Sequence, residues 1–307
     1  MNNNTIPIII SSDDNYIKYL AVTLYSILYN GKNSFYDFYL LLAPDVKERN
    51  KNLILKIAKR FNNNNINFIN MGNAFTTQKK MISHISNPTY YRLKAAEILP
   101  SKYKKCLYFD TDVIINIDLE EYFNINIDNY YIAGVLAAYQ LLNKENNHHI
   151  LLEIPNLKQY INAGVVILNL YKIRKNNLTK TFLLNCKNNY PTQDQDVLNK
   201  CCYGHIKILP LEYNIMTKYN LLHPSSNLLE IYSSYEIKNV LQTKKIIHYA
   251  DKIKPWQKTN IMFSCIWWRY AIKTPFITQI IIKYFLYQLN PIRNFYKNVK
   301  LILLIHC

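Results

Sequence analysis

Cys106-Leu107-Tyr108-Phe109-Asp110-Thr111-Asp112-Val113 joins a hydrophobic run to a pair of acids. Lys105 to Phe109 has the make-up of a buried strand, and two carboxylates stand two residues apart where that run gives out. Period two along an extended backbone points both in one direction, so the pair is able to share one hard cation such as Mn²⁺ or Mg²⁺. The residues upstream decide what kind of sheet this strand belongs to. Ile6 to Ile10 is a short β-branched run ending in the polar loop Ser11-Ser12-Asp13-Asp14-Asn15. Leu20, Leu24, Ile27 and Leu28 then recur at helical spacing, Phe38 to Leu42 reads as a second strand, Val46 to Phe61 as a second helix and Ile66 to Ile69 as a third strand. This βαβαβ opening predicts an α/β, Rossmann-like fold with a mostly parallel central sheet.

Downstream, Asn87-Pro88 is a good N-cap and first-turn pair for a helix through Leu99. Further strands are expected at Tyr131 to Ala137, Val165 to Leu170, Ile206 to Leu209 and Lys245 to Tyr249, and a helix at Asp194 to Cys202. The 307 residues suit one α/β domain of about 250 residues with an extension. Half the chain is hydrophobic and 19% is charged, which excludes an intrinsically disordered protein. The net charge of +17 is uneven, because Lys252 to Cys307 carries nine Lys or Arg residues and no Asp or Glu. Six cysteines without a CxxC pair indicate neither a zinc ribbon nor a disulfide framework, so a reducing compartment is expected. The N-terminus lacks the basic and apolar regions of a secretory signal, and Lys283 interrupts the best apolar run, Phe276 to Leu289.

Two enzyme classes use a DxD at the end of a strand. Nucleotide-sugar glycosyltransferases bridge the carboxylates to a donor diphosphate through a metal, and haloacid-dehalogenase-type phosphatases use the first Asp as a nucleophile. In the phosphatases the motif closes the first strand of the fold. Here three predicted strands precede it, an order that favours a transferase.

Taken together, six separated blocks resemble bacterial glycosyltransferase family 8, the lipopolysaccharide galactosyltransferase and glucosyltransferase group with the GT-A fold. They are Ser12 to Tyr16, His84-Ile85-Ser86 through Leu93, Leu107 to Val113, Tyr160 to Val165, Gln193 to Asn199, and His248-Tyr249 through Lys254-Pro255-Trp256. The resemblance implies a retaining, UDP-sugar-dependent hexosyltransferase. It also implies a role for each matching residue. Asp13 and Asn15 would hold the uridine, at the carboxyl edge of the sheet where open α/β folds bind ligands. Asp110, Asp112 and His248 would ligate Mn²⁺ or Mg²⁺, with Thr111 between them. Asn162, Ala163 and Gly164, read here as a turn before a buried strand, would contact the donor sugar, and Arg92, on the helix after Asn87-Pro88, would reach a donor hydroxyl or a carboxylate. Asp194 would bind sugar hydroxyls, and Gln195 would lie against the sugar face opposite the leaving group. An amide is a weak nucleophile, so Gln195 is expected to stabilise an oxocarbenium-like centre. Lys254 would meet the donor phosphates.

Two positions depart from the family pattern. Asp251 stands where the family generally has Gly, and the strand ending at Ala137 lacks the acidic residue the family places near the acceptor. The acceptor, a glycan or lipid-linked saccharide by resemblance, must therefore be contacted from elsewhere. Residues 1–256 are assigned to the transferase domain and 257–307 to a helical, basic and aromatic tail. Its Trp267, Trp268 and long apolar runs, Phe276 to Leu289 and Val299 to Ile305, favour an anionic membrane surface over nucleic acid. These features predict a protein on the cytoplasmic face of a membrane. The alternatives are a non-catalytic nucleotide-sugar-binding protein and an Asp-nucleophile phosphatase.

Overall fold

Strand β1 (Thr5–Ser12) is buried along nearly its whole length, as a strand covered by helices on both faces must be. Its side chains divide by the period of two: Ile6, Ile8 and Ile10 enter one core and Ile9 the other. It pairs in parallel with β2 (Phe35–Leu42), which pairs in parallel with β3 (Asn64–Asn70), a partly exposed, Asn-rich edge strand. On its other side β1 pairs in parallel with β4 (Cys106–Phe109). The structure, a computed structural model, describes residues 5–75, 87–142, 147–188 and 190–289. The predicted His84-Ile85-Ser86 block, Phe295, Tyr296 and the run Val299 to Ile305 lie outside the described residues.

Seven strands form the main sheet in the order β3-β2-β1-β4-β7-β6-β8, with β6 at Ile132–Leu136, β7 at Ile161–Leu168 and β8 at Ile206–Ile208. β7 runs antiparallel to both its neighbours, and the other pairings are parallel. The sheet is thus mostly parallel with one reversed strand near its centre. That reversal corrects the expected turn at Asn162-Ala163-Gly164, since these residues lie inside β7 at its beginning. A second sheet of order β5-β10-β9 comprises β5 (Val113–Ile115), β9 (Ile215–Met216) and β10 (Ile246–His248). The short strands β5 and β9 fall below what periodicity resolves.

Helix α1 (Ile17–Asn30) is apolar almost all round and is buried between the main sheet, β5 and the later helix Ser264–Ala271. Helix α2 (Glu48–Ala58) shows the ordinary amphipathic stripe, with Ile54 and Ile57 inward. Asn87–Lys94 forms a 3-10 helix and only Ala95–Ile98 is α-helical, where the sequence predicts one continuous α-helix. Helix α3 (Asp194–Cys201) begins where expected.

The core runs past the predicted boundary at Trp256. In α4 (Ser264–Ala271) Trp267 is 0% exposed, as are Phe276 and Ile280 beyond it. Trp267 lies 5.2 Å from Trp256, which itself stacks on Tyr19 at 3.8 Å. Trp267 is therefore a core residue and not a membrane anchor, because indole burial against two rings leaves no face for lipid. Trp268 is half-buried and donates its indole N–H to the Pro255 carbonyl at 3.1 Å. Helical residues 277–289 follow, exposing Ile281, Ile282, Phe285, Leu286 and Leu289.

Candidate active site

The strand order changes direction between β1 and β4, so the chain segments leaving their carboxyl ends, Asp13 and Asp110, border one crevice. Reversal of β7 brings its first residues to the same end. The Asp110 N–H donates to the Gly164 carbonyl at 2.8 Å, continuing the β4–β7 ladder by one step. Asp110-Thr111-Asp112 is then a turn that carries the chain from β4 in one sheet to β5 in the other. The two carboxylates converge through this turn and not, as period two suggests, through an extended strand. In the second sheet His248 pairs with Val113 and with Met216, which seats the imidazole beside Asp112.

Asp110, Asp112 and His248 each offer a ligand atom, all within 4.8 Å of one another. His248 Nε2 is 3.2 Å from Asp112 Oδ1 and 3.9 Å from Asp110 Oδ2. The tautomer follows from the neighbours. Backbone N–H of Gly164 can only donate, so the Asn162 atom it meets at 3.0 Å is Oδ1. That oxygen also accepts from Asn214 Nδ2 at 2.9 Å, leaving Asn214 Oδ1 to accept from His248 Nδ1 at 3.0 Å. Nε2 thus turns a lone pair towards Asp112 Oδ1, an oxygen that is buried and has no hydrogen-bond partner among the described residues. Two acceptors facing each other at this range need a proton or a cation between them. Gly164 is cut to the same shape, for a Cβ there would meet His248 Cε1 at 2.3 Å and Asp110 Oδ2 at 2.7 Å. The donor set of two carboxylates and one imidazole fits a divalent cation of the Mn²⁺ or Mg²⁺ kind. Burial alone would raise the Asp112 carboxyl, but the Lys254 ammonium beside it outweighs that and holds the group well below the usual carboxylate range. Lys254 Nζ is 2.6 Å from Asp112 Oδ2 and also donates to the Tyr249 carbonyl at 2.7 Å.

The wall beyond Gly164 is a network of ion pairs and hydrogen bonds. Arg92, with its side chain 3% exposed, donates through Nη2 to Asp110 Oδ1 at 2.9 Å and through Nη1 to the Ala163 carbonyl. Its Nε–H donates to the Thr89 carbonyl and lies 2.8 Å from Asp194 Oδ2, a contact of charge more than a hydrogen bond. The guanidinium also sits 4.0 Å from the Tyr108 ring centroid. Burial pushes the Asp194 carboxyl up to about 6 against the pull of Arg92. Gln195 Oε1 accepts from Ala163 N–H and Asn162 Nδ2, both at 3.1 Å, and its Nε2 donates to Tyr160 Oη at 3.1 Å. Tyr160 donates in turn to Asp196 Oδ1, which also meets His148 Nε2, each at 2.5 Å. Gln193, with φ +54°, makes the bend that starts α3 and sends Asp194 and Gln195 inward.

The cleft so formed encloses about 870 Å³, within the range of small-molecule sites and roomy enough for a nucleotide sugar. Asp13, Arg92, Asp110, Thr111, Asp112 and Asn162 border it. So do Ala163, Gly164, Asp194, Gln195, His248 and Lys254. Asn15 does not. It is exposed, and the Asp13 carboxylate instead accepts from Tyr16 N–H at 2.9 Å to begin α1. Tyr16 borders the cleft in place of Asn15. Sequence reasoning missed Asn214, Tyr160 and Thr89, whose roles exist only through hydrogen bonds between distant segments. It also missed Lys218, which follows β9 and reaches the cleft beside Ala137 and Tyr139.

Residues 7–260 match the model of "Glycosyl transferase family 8", and the chain belongs to that family. A lipopolysaccharide 1,2-glucosyltransferase of Escherichia coli K12 is 29% identical over 85% of this chain and 75% of its own. Among solved structures, the galactosyltransferase LgtC in complex with donor and acceptor sugar analogues superposes with a TM-score of 0.74 at 23% identity, covering 88% of this chain and 96% of that one. The bifunctional glycosyltransferase WbbM gives a TM-score of 0.78 at 24% identity over 92% of this chain, which spans only 52% of WbbM. At such identities the two structures establish a shared GT-A fold. Family membership makes the chain a glycosyltransferase and removes the phosphatase alternative.

Proposed function

We propose that this family 8 glycosyltransferase moves a hexose, glucose or galactose, from a UDP-sugar to a glycan or lipopolysaccharide-type acceptor with retention at the anomeric carbon. The observation that carries the donor reading is the cluster of Asp110, Asp112 and His248 around an unpartnered, buried Asp112 Oδ1. These three residues would hold Mn²⁺ or Mg²⁺, which supplies Lewis acidity to the departing diphosphate when bound. The protein's own part is positional. Arg92 ties Asp110 to the sugar wall, so carboxylate and sugar subsites keep a fixed spacing. Asp13, at the end of β1, takes the nucleoside end. Lys254 shares its ammonium between Asp112 and the diphosphate. Gln195, held at both ends of its amide, stabilises positive charge at the anomeric carbon without moving.

Screening UDP-sugars for metal-dependent hydrolysis identifies the donor, and titrating UDP into Asp112→Ala with and without Mn²⁺ tests the site. Affinity should fall about a hundredfold in the variant. Binding equal to that of the unmutated protein would remove the assignment. Gln195→Ala should lower kcat by about 10²-fold with donor affinity little changed.

The same proposal places the enzyme on the cytoplasmic face of an anionic membrane, carried by the exposed apolar face at Ile281, Ile282, Phe285, Leu286 and Leu289 and by the acid-free sequence from Lys252. No helix among the described residues is long and apolar enough to cross a membrane. Each Lys or Arg at an anionic leaflet contributes about 1 kcal/mol. Vesicle cosedimentation should show anionic binding with a salt-resistant fraction, and a chain ending after Ile280 should lose it. Equal binding by that shortened chain would discard the membrane role.

A further inference from the structure

One wall of the cleft plays no part in the donor assignment above. It is built from Ala137 and Tyr139 after β6, Lys218 after β9, and Asp251 and Lys252 after β10. We propose that this wall receives an acceptor saccharide carrying an anionic group, a phosphate monoester or a carboxylate, and that Lys218 binds that group. The inference rests on the donor reading and names the acceptor chemistry of the same site.

Lys218 differs from Arg92 and Lys254, the paired cations of the cleft, and from Lys252, which is exposed. Arg92 and Lys254 are each within 3 Å of a carboxylate oxygen, and so are spoken for before any ligand arrives. No carboxylate among the described residues lies within ion-pair distance of Lys218, although its side chain is half-buried and borders the cleft. What holds it there is aromatic. Its ammonium is 4.9 Å from the Tyr139 ring centroid and 5.5 Å from that of Tyr219, and the Tyr139 backbone N–H donates to Tyr219 Oη at 3.1 Å, tying the Tyr219 ring to the backbone of Tyr139. Cation–π contact offsets part of the lost hydration but fills none of the three N–H donors.

The desolvation shows in its acidity: burial pushes the Lys218 ammonium down to about 8, with Lys254 adding to the fall and Asp251 opposing it. A desolvated cation short of acceptors gains most from an anionic partner, through short charge-assisted hydrogen bonds. Asp251 keeps the group charged without consuming it, since its own Oδ1 accepts from the Lys252 N–H at 2.6 Å. Ala137, just past the end of β6, is buried and small, so no carboxylate on that strand end repels an incoming anion.

The test uses the full chain with Mn²⁺ and three probes of one size class: glucose, glucuronate and glucose 6-phosphate, each titrated with and without saturating UDP. Glucuronate or glucose 6-phosphate, or both, should bind about tenfold tighter than glucose, the better of the two naming the anion. Lys218→Ala should bring all three together while UDP affinity stays within about twofold of the unmutated value. Lys218→Arg should keep the charge preference. Three probes that bind alike, or a preference that survives Lys218→Ala, overturns the assignment. A loss of UDP affinity in Lys218→Ala without a charge preference moves Lys218 to the departing diphosphate and overturns it as well. Failure of the unmutated chain to bind UDP, with the anionic preference intact in the arms without UDP, would instead sink the donor reading and leave this one standing.

Discussion

The sugar wall and the acceptor wall of one cleft are built on opposite principles. Around Arg92, Asp194, Asn162 and Gln195 each charge faces an opposite charge and each amide is engaged at both ends. Across the cleft Lys218 has no carboxylate within ion-pair distance among the described residues, and between the two walls His248 Nε2 stands 3.2 Å from Asp112 Oδ1. Where partners are complete the protein has fixed geometry in advance, as positioning a substrate requires. Where they are incomplete it has left interactions for a ligand to make. At the cleft, the unpaired Asp112 Oδ1 is open to a ligand, and the paired framework marks what positions.

Removing the framework should cost most. Arg92→Ala leaves the buried Asp194 and the half-buried Asp110 without their cation, and should lower unfolding stability by about 3–5 kcal/mol in urea titration. Lys218→Ala should change it by no more than about 0.5 kcal/mol, because no ion pair is broken. Equal losses would erase the distinction between the walls.

Gly164→Ala comes next. Its new methyl group would contact His248 and Asp110 at distances no packing tolerates, so the ring must shift. We expect about 1–3 kcal/mol of destabilisation and a loss of Mn²⁺-dependent UDP binding of about 10- to 100-fold. A variant that binds both normally would show that the carboxylate corner is looser than its distances imply.

Asn214→Ala sharpens the same point more gently. It frees His248 Nδ1 to carry or lose its proton, so Mn²⁺ affinity, read by calorimetry in the absence of donor, should fall about tenfold while the fold persists. Unchanged affinity would mean that the ring is oriented by β10 alone.

The smallest effect is a slope. Asp194 holds its proton more tightly in the folded chain, near 6, than at its ordinary value of 3.8, so the folded state binds more protons between those limits. Stability should then fall as pH rises from about 3.8 to about 6 and flatten above it. Asp194→Asn should lack that decline in thermal melts, and an identical profile would show that Arg92 keeps the acid ionised throughout.

Much of this was legible beforehand, for reasons that differ from residue to residue. The βαβαβ opening declares itself because parallel strands are buried on both faces and read as unbroken apolar runs, as Ile6 to Ile10 does. Asp110, Asp112 and His248 were placed by blocks of sequence around them, and the cleft does gather them. Trp267 misled, since an aromatic residue among cations reads alike whether it packs on Trp256 or faces lipid. Asn15 lies exposed in the loop where Asp13 accepts from the Tyr16 N–H to begin α1, a placement that loop composition does not specify.

The sequence by itself determined the order of the strands in the chain, the carboxylate pair at the end of one of them and the family. Each depends on short-range pattern: alternation, spacing and the identity of adjacent residues. Only the tertiary structure decided that β7 runs backwards, so that Asn162 and Gly164 arrive at the carboxyl end of β4 as the start of a strand. It alone chose the tautomer of His248, through an asparagine 34 positions away. It alone set Lys218 at the cleft with no ion-pair partner among the described residues. Hydrogen-bond direction and charge balance are properties of neighbours in space, and neither is written in the local order of residues.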